Sequence, residues 1–328
     1  MDQHTKNLTE LHQNIIETRL HATVPHTDKS KPIWVRQSGV GEGENNFVIF
    51  LKEEITSSPK FHSLLMFILK YLHEKGVTIP RCIYLPGKYL QKSSTYDKHY
   101  RELHDGSVMV VSKSSDRLKA LLSRYSDAKV VCSEIFLQLY GKFMGITAAS
   151  LFVLFQNVSS VRIDTFTYAT PLKFKDEVFI VINAHYPYQR ERHFHEDSYI
   201  IAFECFADLS WEQINKIGKD IDDIPSQVPE SLYDLLYLQR QQYEIHIDSN
   251  FDGIHVSASP FEAMIEIVNL FPSTQLQNTS FYQKLIKDGI LGMVITQNMG
   301  RRFTEIAKAT RRKDEQESVK IIRKILLE

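Results

Sequence analysis

Cysteine is scarce in this chain. There are three in 328 residues, Cys82, Cys132 and Cys205, far apart and without a CxxC pair. That spacing excludes a disulfide framework and a thiolate metal knuckle, and it fits a reducing compartment. Net charge is scarce too. Lys and Arg total 39 against 40 Asp and Glu, a formal net charge of -1, so no global field draws nucleic acid or anionic lipid. Neither a nucleic acid nor a membrane is an expected partner, and an anionic ligand has to be met by local positive groups. No apolar run approaches the roughly 20 residues of a membrane span; residues 146–155 come nearest and are too short. The opening MDQHTKNLTE is polar, without the apolar centre of a signal peptide, and a cytoplasmic location is expected. What is present is ordinary for a folded chain: 43% hydrophobic and 24% charged residues, in a length that suffices for one large domain or two smaller ones.

Residues 1–45 read as an extension. Leu8, Leu11, Ile15 and Ile16 fall at helical spacing, and VPHTDKSKP follows as a linker. Gly39, Gly41 and Gly43 read as a turn, since the stretch lacks the preceding strand, following helix and lysine of a phosphate loop. From residue 46 strands and helices alternate. NFVIFLK is a strand ending on Lys52, and residues 59–75 form an amphipathic helix stopped by Gly76. VTIPRCIYLP is a second strand, which Pro80 pushes toward a sheet edge. Residues 86–102 predict a second helix carrying Tyr96, His99 and Tyr100.

The rhythm breaks over residues 105–197. There GSVMVVSK predicts a short strand, residues 116–125 and 133–144 helices, and EVFIVIN a buried strand; HYPYQRERHFHED gathers Arg190 and Arg192 with aromatics and histidines. SYIIAFECF then predicts a strand, and Ser210 with Gln213 opens a helix as a capping box. PESLYDLLYLQRQQY is a further helix. Beyond it His255 is followed by Ser257, Ser259 and a helix over 259–270 carrying Glu262 and Glu266. Two or three helices close the chain, with the basic ATRRKDEQ at the surface start of the last.

Two readings of each polar residue stay open at this point. A histidine ahead of a helix, near hydroxyls and a carboxylate, can be held in one tautomer as a nucleophile, or can lie in a surface turn. Lys52 can meet an anion or be a solvated charge. Ser257 can donate to a phosphate, or cap the helix as Ser259 can. Arg190 and Arg192 can reach phosphates or sit in a solvated loop.

Side by side, these pieces resemble a nucleoside diphosphate kinase with a long insertion. VIFLKEEI places Lys52 where that family's first strand ends in the lysine of IKPDA. GVTIPRCIYLP resembles its helix-to-strand step, KHYREL supplies a His99-Tyr100 pair, and SYIIAFECF is similar to the third strand. DGIHVSASPFEAMIEI resembles the family's N-x-x-H-(G/A)-S-x-S stretch and its later glutamate, with His255, Ser257, Ser259 and Glu266 in register. Residues 46–104 and 198–275 together make about one such domain, leaving 105–197 as an insertion. INAHYPYQRERHF is similar to a segment of longer bacterial relatives.

The resemblance implies an α/β (α+β) fold of ferredoxin-like type: a four-stranded antiparallel sheet covered by helices, with the insertion and a helical C-terminal tail over 276–328. It implies transfer of the γ-phosphate of a nucleoside triphosphate to a nucleoside diphosphate through a phosphohistidine at His255. Glu266 would orient the imidazole, Lys52 would meet phosphate charge, Tyr100 would stand beside them, and Ser257 would donate to phosphate. Mg²⁺ enters as the nucleotide's counterion, with no metal site built by the protein. Relatives are commonly oligomeric, so a homo-oligomer is implied, although an insertion of this size could block the usual contacts.

There are departures. Val256 stands for the glycine after the histidine, Asp252 for the asparagine three before it, and Lys52-Glu53-Glu54 for K-P-D. Tyr233 occupies the place of a phosphate-binding arginine. Arg240 is the nearest substitute, Lys216 and Lys219 stand where a further arginine and threonine are expected, and Arg190 and Arg192 are candidates from the insertion. The same departures fit a catalytically weak or inactive relative that binds nucleotide, or a partner protein, as a regulatory module.

Overall fold

Two apolar runs, NNFVIFL and YIIAFECFA, lie side by side at the heart of a sheet. In this computed structural model the described residues are 3–23, 27–37, 41–108, 116–164, 166–218, 229–248, 250–272, 274–290 and 292–327. Their strands are β1 (Ile33–Gln37), β2 (Asn45–Leu51), β3 (Thr78–Pro86), β4 (Lys129–Cys132), β5 (Val161–Asp164), β6 (Thr167–Phe174), β7 (Glu177–Ile182), β8 (Tyr199–Ala207) and β9 (Ile254–Val256). The chain is a mixed α/β protein of two units, one made of Met1–Ser93 with Glu196–Glu328, the other of Ser94–His195. Among the described residues no single helix is long and apolar enough to cross a membrane.

In the first unit five strands pair antiparallel in the order β1-β3-β8-β2-β9. Side chains alternate across a strand. Phe47, Ile49 and Leu51 of β2 therefore join Ile201, Phe203 and Cys205 of β8 on one face, in a cluster with Leu64, Leu65, Ile68 and Leu72 of the helix Phe61–Glu74. That helix stops at Gly76, whose φ of 75° suits a residue without Cβ, while the Val77 N–H returns to the Leu72 carbonyl at 3.0 Å.

The opposite face carries a buried ion pair. Arg81 on β3 lies across from Glu204 on β8 and bonds its carboxylate. Asn46 also donates to that carboxylate at 3.1 Å, and the Arg81 guanidinium reaches Thr274 Oγ1 at 2.7 Å beneath the Phe271 ring.

Two expectations change here. The sheet has five strands rather than four, and residues 1–45 are not an appendage. The helix Gln3–Ala22 sinks Leu11, Ile15 and Ala22 into the main core, and β1 pairs along β3. Pro80 accordingly does not mark an edge. It lies where the β3–β8 register shifts between Thr78 and Arg81, a bulge that tolerates its missing N–H. The closing helices Ser280–Lys287, Gly292–Thr310 and Glu315–Leu327 pack onto the helix Pro260–Leu270 through Phe261, Met264, Phe281, Leu285, Ile306 and Ile322.

The second unit has a four-stranded sheet in the order β4-β7-β6-β5, with β4 and β7 parallel and the other pairs antiparallel. It begins at Ser94 instead of residue 105 and ends at His195. The single helix expected over 86–102 is three pieces, Gly87–Ser93, Thr95–His99 and Arg101–Val108, broken by the left-handed Ser94 (φ 54°) and by Tyr100. GSVMVVSK begins as the end of the third piece, not as a strand; its residues 109–113 lie outside the described residues. HYPYQRERHFHED is chiefly helix, Tyr186–Phe194, with Pro187 in its first turn.

Candidate active site

β9 is only three residues long, and its place is dictated by β2: Ile49 pairs with Val256, Phe50 with His255 and Leu51 with Ile254. The His255 ring stacks on Phe50, with centroids 4.5 Å apart and planes 19° from parallel. Beyond the strand, Ser257 continues the pairing. Its N–H donates to the Val48 carbonyl at 3.0 Å, and its Oγ accepts from the Val48 N–H at 2.9 Å. Ser259 then caps the helix Pro260–Leu270 by accepting from the Glu262 N–H at 3.2 Å, with Pro260 at the first helical position where its missing N–H costs nothing.

Glu266 lies about two helical turns past that cap, so its side chain points back over the helix start. One carboxylate oxygen meets His255 Nε2 at 2.8 Å and the other accepts from Ser257 Oγ at 2.5 Å. The site is sheltered, with the side chains of His255 and Glu266 19% and 8% exposed. An ionised Glu266 accepts at both oxygens. Nε2 is then the protonated nitrogen, and the imidazole lone pair is on Nδ1. A histidine held in one tautomer by a carboxylate is chemically suited to act as a nucleophile.

Lys52, just past the end of β2, donates its backbone N–H to the Gly253 carbonyl at 2.8 Å and pairs its ammonium with Asp252 at 2.6 Å. The carboxylate that replaces the expected asparagine is thus compensated in charge, and the lysine assigned to phosphate already has an anionic partner. Next to it Glu54 is buried at 4% exposure, and its carboxyl is pushed up to about 7. Burial is the chief cause; Lys52 opposes it, and Asp252 and Asp248 add to it.

Between its ordinary 4.5 and about 7, the folded chain keeps a Glu54 proton that the unfolded chain has released. Stability therefore falls as pH rises through that window, by about 3 kcal/mol for this group. Glu54→Gln is expected to flatten that part of the profile and to gain stability mainly at pH 8. Urea unfolding at pH 5 and pH 8 checks it, and an equal effect at both pH values would contradict the assignment. Glu262 is also held above the usual carboxylate range, mainly by burial and against the charge of Arg311, while the Ala258 N–H donates to it at 3.2 Å.

Of the residues expected at the site, the fold gathers His255, Glu266 and Ser257, with Lys52 on the adjoining strand end. Arg240 lies over the Tyr237 ring, 3.9 Å from its centroid, and donates to the Tyr237 carbonyl at 2.6 Å. Lys216 pairs with Glu212 at 2.8 Å. Lys219 lies outside the described residues.

Tyr100, Arg190 and Arg192 belong to the second unit. Tyr100 ends the helix Thr95–His99 with its ring 4.4 Å from that of His99. Arg190 holds buried Asp97 with two bonds of 2.7 and 2.9 Å, and Tyr186 Oη adds a third at 2.9 Å. A carboxylate sheltered to that degree requires such a partner. Arg192 lies on the same helix, Tyr186–Phe194.

Sequence reasoning missed Phe50. The alternation of β2 places it one residue before Leu51 and two before Lys52, but the partner strand is too short to announce the pairing. No family model matches the chain, and no curated protein or solved structure matches it.

Proposed function

We propose that this chain is a nucleoside diphosphate kinase-like phosphotransferase, passing the γ-phosphate of a nucleoside triphosphate to a nucleoside diphosphate through His255. The observation that carries the reading is the hydrogen-bonded relay from Ser257 through Glu266 to His255 Nε2. His255 Nδ1 attacks the γ-phosphorus, the bond to the β–γ bridging oxygen breaks, and the nucleoside diphosphate leaves with that electron pair. An oxygen of a second nucleotide's terminal phosphate then attacks phosphorus and releases the imidazole. Phosphorylation at Nδ1 makes the ring cationic, and Glu266 at Nε2 stabilises that charge without having to reorganise. Mg²⁺ comes with the nucleotide as part of the substrate, and Lys52 exchanges Asp252 for a phosphate oxygen.

The strand arrangement supports the same reading. We read the order β3-β8-β2-β9, with the helix Phe61–Glu74 between β2 and β3, as a ferredoxin-like sheet to which β1 is an added edge. One observation favours a second reading, a weak or inactive nucleotide-binding relative: the Lys52–Asp252 ion pair occupies the cation.

Incubation with γ-phosphate-labelled ATP and Mg²⁺ separates the two. The kinase reading requires acid-labile, alkali-stable label on the protein that chases onto added GDP. Protein that binds ATP but takes up no label would leave only the second reading.

A further inference from the structure

The turn between the last two helices carries Arg311, Arg312 and Lys313, and it is not a detached surface feature. The helix Gly292–Thr310 ends in buried Thr310, whose Oγ1 donates to the Ile306 carbonyl at 2.8 Å. The Lys313 N–H closes the turn on the Thr310 carbonyl at 2.9 Å, and Arg312 takes a left-handed φ of 60°. That geometry aims the Arg312 N–H at the carbonyl of Ala258, 3.0 Å away.

Ala258 lies between the relay serine and the capping serine, three residues past His255. Asn215 Nδ2 reaches the same carbonyl at 3.3 Å. Apolar contacts hold the arrangement in place, as Ile306, Ala307, Val319 and Ile322 pack with Phe261 and Met264 of the helix that carries Glu266. The Glu262 carboxyl, bonded to the Ala258 N–H, lies within the fields of both Arg311 and His255. The end of the chain thereby sets Arg311 one residue before the backbone that bonds Ala258, while the segment ahead of His255 offers buried Tyr233 where the resemblance implies an arginine.

We propose that Arg311 is a phosphate-binding cation of the His255 site, meeting the terminal phosphates of the nucleotide from the C-terminal turn. This rests on the phosphotransfer reading above and extends it by one residue. Without nucleotide, the charge of Arg311 acts on the Glu262 carboxyl. A nucleotide's terminal phosphate offers more negative charge and more acceptor oxygens than that single carboxyl. A purely structural role is the rival, in which Arg311 only helps to dock the turn. The two differ in what they leave intact.

The test uses the full-length chain, with MgADP affinity by titration calorimetry, the initial rate of labelling from ATP, and the melting midpoint. Arg311→Ala is expected to weaken MgADP binding about tenfold or more and to slow labelling on the order of 10²-fold. Arg311→Lys should recover part of both. Lys313→Ala, a loss of like charge two residues on, should change neither by more than about twofold, as expected of an exposed charge. If Arg311→Ala does not fold, Arg311→Gln removes the charge alone and gives the same comparison.

A lowered melting midpoint with unchanged affinity and labelling overturns the proposal in favour of docking. If wild type binds MgADP through Arg311 yet takes up no label, the phosphate site stands and the phosphotransfer reading falls. If wild type labels and Arg311→Ala labels equally well, the reverse holds. Wild type that neither binds nor labels overturns both.

Discussion

His255→Ala protein takes up no acid-labile label from γ-phosphate-labelled ATP, a loss on the order of 10⁴-fold or more, since the substitution removes the proposed phosphoryl carrier. The fold should survive. His255 is on a β9 that is bonded to β2 through backbone groups on both sides of the ring, and Ser257 keeps its bonds to Val48 and Glu266. What disappears is the stack on Phe50, worth about 1 kcal/mol beyond the area it buries. Label that persists in His255→Ala sinks the carrier assignment outright. Glu266→Gln in the same assay keeps the nucleophile and removes the charge that steadies the phosphoimidazolium, so a reduction on the order of 10²-fold is expected. Label of undiminished rate in that variant would leave His255 as carrier and remove Glu266 from the mechanism.

Arg81→Ala loses about 3–5 kcal/mol of stability, by the usual cost of leaving one half of a buried pair behind. Glu204 is 5% exposed and sits across from Arg81 in the sheet, so its carboxylate is left with Asn46 as its remaining described side-chain donor. The same substitution removes the bond to Thr274 and the contact with Phe271, which tie the turn after the site helix to the sheet. The denaturant midpoint measures this, and a loss below about 1 kcal/mol would show the pair to be as weak as a solvated one. Replacing both residues together, Arg81→Met with Glu204→Leu, should recover most of the loss, because the penalty lies in the stranded charge.

The grouping of His255, Ser257 and Glu266 was expected from the family resemblance rather than from the loop's own chemistry, and local geometry brings it about. Ser259 caps the helix, helical periodicity sends Glu266 back toward that cap, and Ser257 lies two residues past His255. The surrounding charges were not legible. Arg190 finds Asp97 at a separation of 93 residues, Lys52 finds Asp252 at 200, and Arg312 finds Ala258 from the far end of the chain. No periodicity encodes such pairings.

The central strands declared themselves as continuous apolar runs, whereas β1, with four half-buried residues and an exposed Gln37, gave no such signal. β6 was missed for a related reason, since Pro171 and the exposed Lys173 interrupt its apolar positions. The expected helix over 86–102 failed where Ser94 turns left-handed, a conformation that serine rarely adopts and that composition does not signal.

The pairing of β3 with β8 has one more consequence. Pro86 lies opposite Tyr199, and the Gly87 N–H donates to the Ser198 carbonyl at 2.8 Å, so the chain leaves the five-stranded sheet and returns to it at adjacent points. The whole stretch Ser94–His195 is spliced into what is otherwise a hairpin tip. Closing a loop about twentyfold shorter costs about 3 kcal/mol less in chain entropy, so the sheet does not need the passenger in order to close. The register at that tip is held by the β3–β8 pairs themselves, from Arg81 opposite Glu204 to Pro86 opposite Tyr199.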